Sequence, residues 1–219
     1  MLVKDCMTRH PIMIFPDTPV SEAQKIMIEN QIRHLPVVGD GKRLLGLITR
    51  ETLAFKPDLL GSLNVWEITR YLSNLNAKDA MVRARDVITI TPDRTVERAA
   101  RILTEHKIGA LPVGEEDQVV VGMLSEVDLL DALQTMLGLP AAGVRATIRM
   151  PNRKGEFARM IRALADNNLG LMGVGVYPTR KDDDFYDAVL KIPNATPEQI
   201  SEIFDHVMDQ VLIDIREIV

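Results

Sequence analysis

Apolar residues along this chain recur with two periods. Val20, Ala23 and Met27 share one helical face behind Pro19, a residue suited to the first position of a helix. Two short apolar runs follow, Leu35-Pro36-Val37-Val38 and Leu44-Leu45-Gly46-Leu47-Ile48. They flank Gly39-Asp40-Gly41, which spells a hairpin with a glycine-containing turn. The pattern then returns. Val96, Ala99, Ile102 and Leu103 repeat the helical stripe, a second L-P-V stands at 111–113, and Glu115-Glu116-Asp117 takes the place of the turn. A short helix is expected from Ser125 or Glu126. Each copy therefore reads helix, strand, strand, helix.

The repetition is direct. HLPVVGDGKRLLGLITRETL at 34–53 returns as ALPVGEEDQVVVGMLSEVDL at 110–129, with Pro36 and Pro112, and Gly46 and Gly122, 76 positions apart. F-P-D-T-P-V at 15–20 matches T-P-D-R-T-V at 91–96 at the same offset, but K-D-C-M at 4–7 matches K-D-A-M at 78–81 at 74. A period this long exceeds any solenoid unit and marks a duplicated module. Residues 1–60 form the first copy, 61–76 a connector and 77–138 the second. A module this small is marginal alone, so two copies are expected to share a core.

After Leu139-Pro140-Ala141-Ala142-Gly143 the pattern changes. Val144–Met150 alternates as a strand, and Pro151-Asn152-Arg153-Lys154-Gly155 is a turn. Phe157, Ile161, Leu164 and Ala165 make a helical stripe. Leu171–Tyr177 and Phe185–Ile192 read as strands joined by an acidic turn. Thr196-Pro197-Glu198-Gln199 is a capping-box signature, with Ile200, Ile203, Phe204, Val207 and Met208 as the buried face behind it. Val211–Val219 closes as a strand. Residues 144–219 thus spell βαββαβ, a ferredoxin-like unit in an α/β (α+β) chain.

Composition narrows the functional classes. The 219 residues are 46% hydrophobic and only 4% aromatic, so the core is aliphatic. A formal net charge of −5 argues against nucleic acid held by a basic surface. The single cysteine, Cys6, excludes an intrachain disulfide and fits a small apolar role in a reducing, cytoplasmic setting. No apolar run reaches the length of a membrane span, and the N-terminus lacks a signal-peptide apolar region.

The doubled L-P-V … G-h-h-[ST]-x-x-D pattern (h, an apolar residue) resembles a pair of CBS domains, a Bateman module. Residues 144–219, with P-N-R-K-G after the first strand, resemble an ACT domain. The combination is similar to the acetoin-utilisation AcuB type. The CBS resemblance implies an adenosine-containing ligand in the clefts between repeats and a homodimer. It also implies that the last acid of the motif holds the ribose hydroxyls and that the preceding Ser or Thr approaches phosphate. Copy two fills both positions with Ser125 and Asp128; copy one ends Thr49-Arg50-Glu51-Thr52 and lacks the acid. Chemistry agrees: an ionised carboxylate accepts two charge-assisted hydrogen bonds from a vicinal diol, and a hydroxyl at a helix start can help cradle phosphate. Ile108, Ala110 and Thr91 match adenosine-contacting positions, and Arg33 and His34 match positions that meet phosphate. One composite nucleotide site per chain is the expectation. The ACT resemblance implies dimerisation or an amino-acid-like effector near Asn152 and Gly155. Asn152 stands where that family often has an acid.

Structural roles compete at these positions. Asp128 also reads as a helix cap and Ser125 as an N-cap. Arg33 and His34 also read as an exposed strand edge. Asp182-Asp183-Asp184 reads as a solvated hairpin tip rather than a metal site. The chain shows no H-E-x-x-H, G-x-S-x-G or Walker A motif, and the histidines at 10, 34, 106 and 206 have no metal spacing. The expectation is a non-catalytic regulator without catalytic cofactor, sensing an adenine nucleotide and acting on an unknown target protein. The rivals are a constitutive oligomeric scaffold and a weak enzyme acting on a nucleotide.

Overall fold

The computed structural model describes residues 1–53, 75–115, 118–139, 141–179 and 183–218. Most of the expected connector at 61–76 lies outside these residues, as do Glu116, Asp117, Pro140 and Asp182. The chain divides into two compact units, 1–129 and 130–219. No helix among the described residues is long and apolar enough to cross a membrane.

In the first unit each copy builds the same three-stranded antiparallel sheet. Copy one contributes α2 (Val20–Glu29), β2 (His34–Val38), β3 (Leu44–Thr49) and α3 (Arg50–Leu53). Copy two contributes α5 (Val96–His106), β5 (Ala110–Gly114), β6 (Val120–Ser125) and the start of α6 (Glu126–Met136), a helix that continues past the boundary at residue 129. The hairpins have the same register, Pro36 opposite Leu47 and Pro112 opposite Met123, with an irregularity at the same place in each. Pro19 is the N-cap of α2, one residue outside the expected first position, while Thr95 caps α5 by accepting from the Arg98 N–H at 3.3 Å.

The third strand of each sheet comes from the other copy's leading arm. The first arm, α1 (Val3–Cys6) and β1 (Thr8–Arg9), pairs with β6, and the second, α4 (Ala77–Ala80) and β4 (Val82–Arg83), pairs with β3. The anchoring bonds match position for position. Val3 and Lys4 N–H donate to Arg94 and Pro92 carbonyls, and Ala77 and Lys78 N–H donate to Thr18 and Pro16 carbonyls. In both arms the aspartate of K-D-x-M accepts from the backbone N–H three residues earlier, Asp5 from Leu2 at 2.8 Å and Asp79 from Asn76 at 3.0 Å. Val3 is fully buried in the core of copy two and Ala77 in that of copy one. The two-residue change of offset is a 3-10 turn at Ala84–Asp86.

Small mixed clusters join the copies: Val38 and Leu44 with Val120, and Leu47 with Ala110 and Met123. Gly46 and Gly122 let the arms close. A Cβ at Gly46 would stand 2.5 Å from the Val82 carbonyl oxygen, and one at Gly122 would stand 2.5 Å from Met7 Sδ.

In the second unit the order is β7 (Gly143–Pro151), α7 (Glu156–Asp166), β8 (Gly173–Pro178), β9 (Phe185–Ile192), α8 (Pro197–Asp205) and β10 (Val211–Ile218). The antiparallel sheet runs β10-β7-β9-β8. Its aliphatic core joins Ala146, Ile148 and Leu190 to Met160 and Leu164 of α7 and to Ile200 and Phe204 of α8. Thr196 and Gln199 form the expected capping box. The expected stripe on α7 holds in part: Leu164 is buried and Ile161 packs against the core, whereas Phe157 and Ala165 are exposed and Glu156 and Met160 are buried instead. The Glu156 carboxylate is drawn inside by Arg153 at 2.9 Å, Arg159 at 3.3 Å and Gln210. Met208, expected on the buried face of α8, is 77% exposed because the helix has ended at Asp205.

Gly46→Ala tests the arm exchange. It forces a methyl into the β4 backbone and should lower unfolding free energy by about 1–3 kcal/mol, the usual cost of overpacking. Urea denaturation measures it; unchanged stability would mean that the arm does not pack there.

Candidate functional site

A cleft of about 1030 Å³ opens within the first unit and is walled by both copies. Matching positions face it: the turns before the L-P-V strands, which hold Arg33-His34 and Gly109-Ala110, and the strand-to-helix junctions at Thr49–Thr52 and Ser125–Asp128. Of the expected residues, Arg33, His34, Ile108, Ala110, Ser125 and Asp128 all line it. Thr91 is not among the lining residues. Its exposed hydroxyl bonds to Asp93, beside the carbonyl that anchors the first arm.

The junctions show why copy two ends S-E-V-D and copy one T-R-E-T. Asp128 Oδ2 accepts from the Ser125 N–H at 2.7 Å and from the Ser125 hydroxyl at 2.7 Å, and Ser125 Oγ accepts from the Asp128 N–H at 3.3 Å. In copy one the Thr52 hydroxyl accepts from the Thr49 N–H at 3.0 Å, and Thr49 Oγ1 accepts from the Thr52 N–H at 3.3 Å. Both pairs cap the start of the following helix. A hydroxyl is enough for that. The carboxylate adds a second oxygen, Oδ1, which receives no protein hydrogen bond among the described residues, together with a charge.

His34 carries copy one into copy two's side of the cleft. A Cβ at Gly109 would lie 3.3 Å from His34 Cε1, so the imidazole packs where a side chain would otherwise stand. Burial pushes its pKa below the ordinary value; Arg33 acts the same way, against Glu51 and Glu126. A hydrogen bond with Thr49 lowers the Glu51 carboxyl. Burial, then Asp128 and Asp5, raises the Cys6 thiol, which leaves it less thiolate than a free cysteine.

Sequence reasoning missed most of the cleft's charge. Lys107 joins Arg33 on the positive side, while Glu51, Asp86 and Glu126 join Asp128 on the negative side. The repeat offset pairs Glu51 with Val127 and His10 with Asp86, and that signal points to Glu51 and Asp86; Lys107 and Glu126 adjoin Ile108 and Ser125 in sequence. The lining therefore carries charges of both signs, with the carboxylates concentrated at the two strand-to-helix junctions and at Asp86.

In the second unit Asn152 and Gly155 occupy the turn after β7. Asn152 is engaged with the β8–β9 hairpin: its backbone N–H donates to the Asp184 carbonyl at 2.7 Å and its side-chain amide to the Asp183 carbonyl at 3.2 Å. Gly155 is left-handed (φ +92°), a conformation that favours glycine, and a Cβ there would meet nothing within 4 Å. Among the described residues no group of three His, Cys, Asp or Glu is placed to hold a metal ion.

Comparison with known proteins places these features. The chain is 32% identical over 129 residues to a homoserine O-acetyltransferase of Methanocorpusculum labreanum, 59% of this chain and 23% of that protein. It is 29% identical over 128 residues to the L-aspartate semialdehyde sulfurtransferase of Methanocaldococcus jannaschii, 58% of this chain and 22% of that protein. The chain thus spans about a quarter of the length of the curated relatives it matches. Among solved structures, the CBS domain pair of protein MJ0100, in complex with 5′-methylthioadenosine and S-adenosyl-L-methionine, matches at TM-score 0.50 and 27% identity. That match covers 61% of this chain and 95% of that one. A Vibrio cholerae protein named for acetoin utilization (AcuB) matches at TM-score 0.53 and 27% identity, over 64% of this chain and 95% of that one. CBSX2 in complex with AMP matches at 0.50 and 25%, over 60% and 95%. The CBS domain model matches residues 3–57 and 77–135, the two copies that wall the cleft, and this chain therefore belongs to the CBS domain family.

Proposed function

We propose that the chain is a non-catalytic cytoplasmic regulator that binds one adenosine-containing ligand in the cleft between its repeats. The observation that carries this reading is the junction of copy two, where Asp128 caps its helix with one oxygen and keeps the other without a protein partner among the described residues. That oxygen is suited to the ribose diol. Ile108 and Ala110 supply apolar contact for the base, and Arg33 and His34 come from the other copy toward a phosphate or other polar tail. Related pairs support the ligand class: AMP for CBSX2, and methylthioadenosine and S-adenosylmethionine for MJ0100. The acidic lining favours AMP or an adenosyl sulfonium over ATP.

The domain limits belong to the same reading: CBS copies at 1–60 and 77–138, and an ACT domain at 144–219. The βαββαβ order and the glycine turn after β7 support the ACT assignment. Its role is homodimerisation or an amino-acid-like effector near Gly155. Likeness to the Vibrio protein supports a link to acetoin metabolism.

Copy one supplies the decisive variant. Asp128→Thr copies Thr52, so it keeps the local cap and removes the carboxylate. In calorimetry with AMP, S-adenosylmethionine, methylthioadenosine and ATP, the wild type should bind about one ligand per chain. Asp128→Thr should bind about 10- to 100-fold more weakly at unchanged melting temperature, the worth of a charge-assisted hydrogen bond. Undiminished affinity would overturn the assignment, and no binding by any ligand would favour the scaffold. Thr52→Asp should raise the stoichiometry toward two.

His34 predicts a pH effect without ligand. Its folded pKa lies below the ordinary 6.5, so around that pH the unfolded chain binds more protons than the folded one. Stability should fall as pH drops through 6.5, and His34→Gln should flatten the fall. Melting curves at pH 7.5, 6.5 and 5.5 measure it; equal slopes for both proteins would contradict the buried imidazole.

A further inference from the structure

Lys191 sits near the end of β9, on the sheet face turned away from α7 and α8. Position 191 alternates with the core residues Leu190 and Ile192, so the pattern makes it a solvated residue. Instead it is 1% exposed. Its cover is a strap, Leu137-Gly138-Leu139, which follows α6. Two glycines let the strap down. A Cβ at Gly173 would stand 2.4 Å from the Leu137 carbonyl carbon and oxygen, and one at Gly138 would stand 3.1 Å from Lys191 Cγ. Gly138 is also left-handed, with φ +69°.

The buried amine is poorly partnered. Lys191 Nζ donates to the Gly143 carbonyl at 3.3 Å, and among the described residues no carboxylate lies within ion-pair distance. An ammonium has three donors, and lysine is almost never fully buried unless paired. The adjacent cation, Arg145, gives its Nη1 to Asp214 at 2.8 Å and to Thr147 at 3.1 Å, and Asp214 is further shared with Arg216. Two arginines thus share one carboxylate, and Lys191 adds a further cation with no carboxylate of its own among the described residues.

Beside it lies a pocket of about 390 Å³, between the strap and β8–β9, with Leu137, Leu139, Val176, Tyr177 and Val189 as walls and Lys191 and Arg145 as its cationic lining. Small-molecule sites commonly run from about 300 to 1,000 Å³, mostly apolar with a few placed polar groups. We propose that this pocket binds a short-chain organic carboxylate, its anion paired with the Lys191 ammonium and its carbon chain against the aliphatic walls. A carboxylate supplies both the missing charge and acceptors for the unused N–H groups. The site lies at the Arg145 end of β7, away from Asn152 and Gly155, and does not depend on the adenosine cleft. Burial also lowers the Lys191 pKa, which an occupying anion would reverse.

Fluorine NMR of 4,4,4-trifluorobutanoate against the full chain tests the proposal, with 4,4,4-trifluorobutanamide as the uncharged probe. Saturable line broadening is expected for the acid, displaced by plain butanoate, with the amide at least tenfold weaker. Lys191→Met should weaken the acid at least tenfold while leaving the fold intact, because it removes a buried charge and keeps the packing. Gly175→Leu should plug the pocket: a Cβ there lies 3.4 Å from Leu137 Cδ2, and the longer side chain projects among the walls. If Lys191→Met fails to fold, Gly175→Leu decides alone. Acid and amide binding alike, acid binding that survives either variant, or no saturable binding of the acid would each overturn the proposal.

Discussion

Everything in the first unit depends on how closely the two leading arms approach the hairpins of the opposite copies. Each arm adds a two-residue strand and one buried anchor, Val3 or Ala77, to a sheet it does not adjoin in sequence. Gly46 and Gly122 make the approach sterically possible, and Asp5 and Asp79 hold the arms in the same local shape. The cleft follows from this exchange. With both sheets completed from across the pair, the turns before the L-P-V strands and the strand-to-helix junctions face a shared space.

Within that space the duplicated frame carries unequal chemistry. Thr52 and Asp128 do the same structural work, closing the backbone at a helix start, and differ in what remains. A hydroxyl in this role has little left to offer a ligand. A carboxylate has an oxygen and a charge. Either residue closes the junction, so one copy can carry a carboxylate there and the other a hydroxyl.

Much of this was legible in the sequence because the repeat exposes it. The L-P-V hairpins, the helical stripes and the Ser125–Asp128 junction appear where the 76-residue offset puts them. The arm exchange was not legible: matched segments carry no information about which copy they join, since either pairing satisfies the same hydrophobic pattern. Thr91 is absent from the cleft lining, and its hydroxyl bonds to Asp93 in the loop that receives the first arm. In the second unit Leu164 and Ile161 face the core as the pattern suggests, but Glu156 takes the place of Phe157 because two arginines and a glutamine hold its buried carboxylate. The burial of Lys191 was illegible for a similar reason. Alternation describes the sheet, and the cover comes from a strap remote in sequence.

The exchanged arms also bear on how such a pair could arise. A lone copy folded by itself would hold an unfilled strand position beside its glycine and an arm with nowhere to pack. Two separate copies would satisfy each other only by trading arms, as a symmetric dimer. Joining them through a connector keeps that trade inside one chain. The fusion then frees each junction to diverge, because no symmetry operation any longer obliges both ends of the cleft to carry the same residue.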